Sequence, residues 1–290
     1  MSDKSHATPD GLFALSNHRL MALSGRDALA FSQAQFMNDV TLLRDGQWQW
    51  NGWLTPKGRV IALFALLRLD DETLWLMLPD ADPATVVDAL KRFVFRSKVA
   101  IAVRNDLHVA GRFATPIGAS GASFSGDPAG GLELDMRGSG GPRTLSILPS
   151  PALPAPALEA AWTAADLRHG VPRLPASQAE HWTPQQLSLE RLKAFSVKKG
   201  CYPGQEIVAR THFLGKAKRG LMLISAAKPI ESGSEVRADD AVLGPVVSAS
   251  ADGTHWSGLA VVPLERDAAA SLMVHRHPVT EEPLAEGLAR

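Results

Sequence analysis

The sequence predicts an α+β body over residues 1–214, followed by a small β-barrel over residues 215–290. Strand and helix patterns alternate through the first hundred or so residues, as expected for helices packed on mixed sheets. After Lys216, five short apolar runs recur at roughly ten-residue spacing with turn residues between them, which suits a small barrel. The length of 290 residues also suits two units of ~100–200 residues better than one.

In chain order, Leu20 to Leu23 reads as a short buried strand. Ser24-Gly25-Arg26-Asp27 opens the first helix, with Ser24 as the expected cap and Asp27 near the positive end of the helix dipole. Trp48 and Trp50 alternate at strand spacing, so sheet packing explains both indoles better than a base-stacking platform does. The turn Thr55-Pro56-Lys57-Gly58 feeds an apolar stretch from Val60 to Leu69, which Asp70-Asp71-Glu72 reverses into Thr73 to Leu78 as a hairpin. Asp82-Pro83 starts the second helix, with the buried stripe Val86, Val87, Leu90, Phe93 and Val94. Val99, Ile101 and Val103 alternate as a strand. Pro116 to Pro142 holds eight glycines and reads as loop, with at most a strand at Leu132 to Leu134. A helix through Trp162 stops at His169-Gly170, and a short one is expected around Gln185 to Lys193. The barrel candidates are Leu221 to Ile224, Ser234 to Arg237, Val242 to Ser248, Trp256 to Val262 and Ser271 to His275.

Lys plus Arg and Asp plus Glu are both 30, which argues against a globally basic nucleic-acid binder. A single cysteine, Cys201, forbids an intramolecular disulfide and suits a reducing compartment. It also excludes a zinc site built on several thiolates and a self-contained iron–sulfur site. The polar start MSDKSHATPDG resembles no signal or transit peptide. The longest apolar run, Val60 to Leu67, is under half of the ~20 residues that span a bilayer. A cytoplasmic protein without a membrane partner is expected. His275 and His277 share a strand face by alternation, with His255 elsewhere, yet no carboxylate joins them, so no resident metal is expected. Ser196 and His212 lack a Gly-x-Ser-x-Gly elbow, and there is no Walker loop. Arg96 follows an amphipathic helix, where dipole compensation explains it as readily as ligand binding.

Between Arg191 and Arg219 lie eight Lys or Arg (191, 193, 198, 199, 210, 216, 218 and 219) and one acid, Glu206. The segment is +7, so the rest of the neutral chain sums to −7. Such a run is either a solvated basic face or a site for an anion, whether a polyglutamate tail, a phosphate backbone or an acidic partner. Inside it sits Lys198-Lys199-Gly200-Cys201-Tyr202-Pro203-Gly204-Gln205-Glu206-Ile207-Val208-Ala209-Arg210, with the chain's one cysteine and one tyrosine. Two lysines before the thiol favour the thiolate, and Pro203-Gly204 delivers the chain to a helix start at Gln205. On composition alone Cys201 reads more readily as a small buried residue.

This motif resembles the signature of the YgfZ family, relatives of the glycine-cleavage T-protein (aminomethyltransferase). The resemblance covers essentially the whole chain: Ser24-Gly25-Arg26-Asp27-Ala28, Gln33 to Val40, Leu54-Thr55-Pro56-Lys57-Gly58-Arg59-Val60, Phe95-Arg96-Ser97-Lys98-Val99, Trp162 with Gly170-Val171-Pro172, and Phe213 to Arg219. It implies a T-protein-like fold, a folate-binding α+β body around a central cavity closed by a C-terminal β-barrel. It implies tetrahydrofolate as ligand and a role in assembling or repairing iron–sulfur enzymes, including tRNA-modifying ones. Their client or assembly proteins would be partners, with a weak or indirect link to tRNA. Lys199, Gly200, Cys201, Tyr202, Gly204, Gln205, Glu206 and Arg210 carry the motif, with Cys201 as the functional thiol. Trp162 stands at a position associated with folate contact, and His18 stands where a second aromatic is expected, offering a smaller stacking surface. T-proteins carry an acidic pair just after the glycine that is Gly58 here, whereas this chain has Val60-Ile61-Ala62-Leu63. Without a carboxylate there, the T-protein transferase reaction is not expected. Two other functions fit the residues: a folate-dependent one-carbon transferase using Cys201 or Glu206, and a tRNA-interaction module using the +7 segment.

Overall fold

The computed structural model describes residues 11–215, 217–239, 241–267 and 269–290; the polar start and Lys216 lie outside the described residues. Among the described residues, three antiparallel sheets and four α-helices make up the fold. The first sheet orders its strands Gln47–Leu54, Val60–Asp70, Thr73–Leu78, Arg19–Ser24 and Ala100–Val103. It is buried on both faces, which is why Val60–Asp70 reads as a continuous apolar run without alternation. Trp48, Trp50, Ala65, Leu67, Trp75 and Met77 point inward to the central core. Phe64, Leu66, Leu74 and Leu76 point the other way, under helices α1 (Ala28–Gln35) and α2 (Pro83–Lys91). Trp48 and Trp50 meet edge to face at 5.4 Å and are core residues.

The second sheet supplies the opposite wall of the central core through Val109, Leu132, Leu134, Leu145 and Ile147. Between this sheet and the third runs α3 (Pro156–Arg168), which inserts Trp162 into the central core and packs Leu167 on Leu223 and Leu259 of the third sheet. The third sheet has seven strands between Arg219 and Glu282. Its two edge strands, His277–Pro278 and Thr280–Glu282, are consecutive in sequence, so the sheet curls into a nearly closed barrel. The tail then returns to the body: Trp50 Nε1 donates to Leu288 O at 2.9 Å, and the Arg290 guanidinium lies 5.2 Å over the Trp48 ring. No helix among the described residues is long and apolar enough to cross a membrane.

Several local expectations change. Ser24 ends a strand, paired with Thr73 and Ala100, so it cannot cap α1; Asp27 takes the cap position and its carboxylate accepts from Lys98 N at 2.6 Å. Helix α2 stops at Lys91, which leaves Phe93 and Val94 in the following turns rather than on the helical stripe. The glycine-rich stretch contains a hairpin, Ser125–Asp127 with Gly131–Asp135. The Glu133 carboxylate organises it by accepting N–H bonds from Ile117, Gly118 and Ala119. The helix expected near Gln185 is one 3₁₀ turn, Leu189–Leu192, flanked by left-handed Ser188 and Lys193. His275 and His277 do not share a strand face: His275 and Arg276, both at positive φ, form the two-residue turn between Leu272–Val274 and His277–Pro278.

Candidate functional site

The segment around Cys201 is built from chain stretches far apart in sequence. Lys199 is buried, and its ammonium donates to the carbonyls of Gln33 (2.6 Å), Phe36 (2.5 Å) and Asn38 (3.0 Å) at the end of α1. Burial draws its pKa down to about 8. Only the protonated amine can donate to all three carbonyls, so it is mainly charged at neutral pH. The Tyr202 ring lies 5.0 Å from that ammonium, and its hydroxyl donates to Ser196 O. Burial pushes the Tyr202 phenol up to about 12, so it remains a donor. Asn38 extends the weld, its amide donating to Trp50 O and Lys193 O.

The other side of the loop rests on the turn before the long strand. Gly204 has φ +79°, and a Cβ there would sit 2.6 Å from Thr55 O and 2.7 Å from Gly58 Cα. A Cβ on Gly58, at φ +69°, would sit 2.8 Å from Ile207 Cβ. The two glycines therefore let backbone meet backbone, which no larger residue permits. Helix α4 (Gln205–Phe213) starts from Gly204, and Gln205 donates back to Lys199 O. Gln185 Nε2 donates to Val208 O, fastening the helix to the body. Asn38-Asp39-Val40, Thr55-Pro56-Lys57-Gly58 and the Cys201 motif thus form one unit, although up to about 160 residues separate them. Cys201 itself is exposed, as is Gly200, so the thiol is presented by a fixed loop and the expectation of a buried cysteine fails. Glu206 and Arg210 are exposed on α4.

Lys199 is an anchor: its three carbonyl bonds direct the charge into the α1 terminus. Arg191 pairs with Glu286, and Arg219 donates to Leu243 O and Val261 O. Of the eight cations in the +7 segment these three are tied internally, while Lys193, Lys198, Arg210 and Lys218 are exposed.

Trp162 lies elsewhere and is fully buried. Phe13 meets it edge-on at 6.1 Å, Phe113 lies at 5.9 Å, and the Arg143 guanidinium covers it at 4.8 Å. Arg143 Nη1 donates to Asp166 Oδ1 at 2.7 Å, and Asp166 faces Arg173, which grips Asp80. This buried four-member network carries no net charge and had no sequence signal. Trp162 Nε1 and Arg143 Nε and Nη2 find no acceptor in the protein. His18 is also buried, its Nδ1 unpartnered; burial first, then Arg173 and Arg19, hold its pKa well below 6.5, so it is neutral. Among the described residues no group of three His, Cys, Asp or Glu is placed to hold a metal. A cleft of about 840 Å³ lies among Gln185, Glu190, Phe195, His212, Lys218 and Leu264, and neither Trp162 nor Cys201 lines it.

No family model matches the chain. An uncharacterized protein of Haemophilus influenzae is 30% identical over 253 residues, 84% of this chain and 86% of that one. Proteins named tRNA-modifying protein YgfZ are similar too: that of Vibrio vulnificus at 30% identity (73% of this chain, 69% of that one), and that of Colwellia psychrerythraea at 29% (74% and 71%). The fold is that of glycine cleavage system aminomethyltransferase T from Bartonella henselae, with a TM-score of 0.70 over 94% of this chain and 84% of that one, at 15% identity. The architecture is T-protein-like, and the chain belongs to the YgfZ family.

Proposed function

We propose that this protein is a tetrahydrofolate-binding accessory protein that supports assembly or repair of iron–sulfur enzymes, including tRNA-modifying ones, with Cys201 as its working thiol. The observation that carries this reading is the exposed Cys201 on a loop locked from both sides by Lys199 and by the Gly58–Gly204 contact. Such a loop holds one nucleophilic or ligating sulfur at the surface without the entropic cost of ordering it on encounter. One thiolate cannot hold a cluster alone, so a client, a second subunit or glutathione completes any ligation.

Folate fits the chemistry around Trp162. The indole becomes a stacking face only when its covering groups move, and Trp162 Nε1 with Arg143 Nε and Nη2 are buried donors that lack acceptors, which pterin and amide carbonyls provide. Phe113, 41% exposed, is the outermost ring of that cluster, so a ligand reaches Trp162 by displacing Phe113. In this reading residues 1–214 form the folate-binding body and residues 215–290 the barrel that closes it.

The thiol's role is tested in a strain lacking the protein, with wild type or Cys201→Ser restored and iron–sulfur enzyme activity measured. The proposal expects Cys201→Ser, folded and expressed at wild-type level, to restore none of the support. Full restoration by Cys201→Ser would remove the thiol from the function.

A further inference from the structure

The Phe95-Arg96-Ser97-Lys98-Val99 segment has no part in the Cys201 loop or the Trp162 cluster, yet it is held firmly. Phe93 packs edge to face on Trp53 at 6.1 Å, and Val94 packs on the outer core. Lys98 N donates to the Asp27 carboxylate, and Asp27 N donates back to Lys98 O. Gly25, at φ +126°, lies so close that a Cβ there would fall 2.4 Å from Lys98 O. The loop is thus clamped at both ends, and between the clamps Phe95 stands 86% exposed with the Arg96 guanidinium 5.4 Å over one face of its ring.

Lys91 to Lys98 contains four cations, Lys91, Arg92, Arg96 and Lys98, and no acid. All four are exposed, and among the described residues none is in an ion pair. The nearest acids in sequence are Asp88, one turn before Lys91, and Asp106, which pairs with Arg104; in space Asp27 lies against the loop, and its carboxylate already takes Lys98 N–H. Protein-binding patches put aromatics in a core depleted of charge. Here an exposed ring is surrounded by unpaired cations, the arrangement that stacks a base and neutralises phosphates.

We propose that the Lys91–Lys98 loop is a binding surface for an unpaired stretch of RNA, with Phe95 and Arg96 as the base-stacking platform and Lys91, Arg92 and Lys98 on the phosphates. The surface adjoins the Cys201 loop through a short relay: Phe93 touches Trp53, Trp53 bridges to Phe36, and Phe36 O receives Lys199. The assignment is independent of the folate and thiol reading.

The test is fluorescence anisotropy of the whole protein with a labelled, mixed-sequence single-stranded 12-nucleotide RNA, its duplex form, and a polyglutamate peptide. Phe95→Ala is expected to weaken single-strand binding by about 5- to 150-fold. Arg92→Gln with Lys98→Gln is expected to reduce the log–log salt slope by about 1.4, at ~0.7 per phosphate contact. Both variants alter exposed side chains, so unchanged denaturation midpoints certify the fold. Absence of RNA binding, binding insensitive to Phe95→Ala, or dependence on Lys193 and Lys218 instead would overturn the proposal. Salt-sensitive binding of polyglutamate without RNA would overturn it too, in favour of an acidic protein partner.

Discussion

Gly204→Ala probes the contact that fixes the Cys201 loop. Two costs are separable. The first is a Cβ at φ +79°, about 1–2 kcal/mol in the left-handed region. The second is steric: the new carbon would lie 2.6 Å from Thr55 O and 2.9 Å from Gly58 N, both backbone atoms that cannot rotate away. Overpacking of that kind costs about 1–3 kcal/mol, so Gly204→Ala should lose about 2–5 kcal/mol in total. Gly46 is the matched control: it also sits at φ +79°, and nothing lies within 4 Å of its Cβ position. Gly46→Ala should therefore lose only the conformational part. Urea denaturation of both variants gives the difference, and alkylation of Cys201 by iodoacetamide should accelerate in Gly204→Ala alone. Equal losses within about 0.5 kcal/mol, with equal alkylation rates, would refute the claim that glycine-to-glycine packing holds the loop.

Three further outcomes are expected. Lys199→Met keeps the aliphatic stem and removes three donors, so it should cost about 1–3 kcal/mol for each carbonyl left bare and loosen the thiol loop, read as faster alkylation. His18 is held neutral by burial in the fold, whereas the unfolded chain takes up a proton near 6.5; stability is intact above that pH and falls below it, by up to about 1.4 kcal/mol per pH unit. His18→Phe should flatten that acid-side slope in denaturation curves recorded from pH 7 to 5, leaving the smaller contribution of His169, whose pKa burial also lowers. Arg173→Met strips Asp80 of its counter-charge, while Asp166 keeps Arg143, and should lose about 3–5 kcal/mol by denaturation, whereas a loss under about 1 kcal/mol would show that Asp80 relaxes to water.

What could be read in advance follows the range of the interactions. The α2 start at Asp82-Pro83 was legible because cap and first-turn proline are local signals, and Asp82 accepts from Thr85 as that pattern requires. The hairpin after Val60 was legible from its apolar runs and acidic turn. The Cys201 motif was legible as a motif, but not Lys199 as its anchor, since the carbonyls it reaches lie more than 160 residues earlier. Next to a cysteine, a lysine suggests thiolate stabilisation; only the fold reveals which way it points. The Glu133-centred hairpin was hidden for the same reason, because a carboxylate organising N–H groups some fifteen residues away leaves only a glycine-rich stretch in the sequence. Trp162 was singled out for a flat ring, and its burial beneath Arg143 and Phe113 depends on three segments that no local pattern connects.

Isothermal titration of the folded protein with tetrahydrofolate, run beside Trp162→Phe and Arg143→Met, tests the functional reading most directly. Phenylalanine limits the cavity that Trp162→Ala would leave, which alone costs about 3–5 kcal/mol. The account predicts saturable binding to the wild type and clear weakening in both variants. No saturable binding to a folded wild type, or binding indifferent to both substitutions, would contradict it.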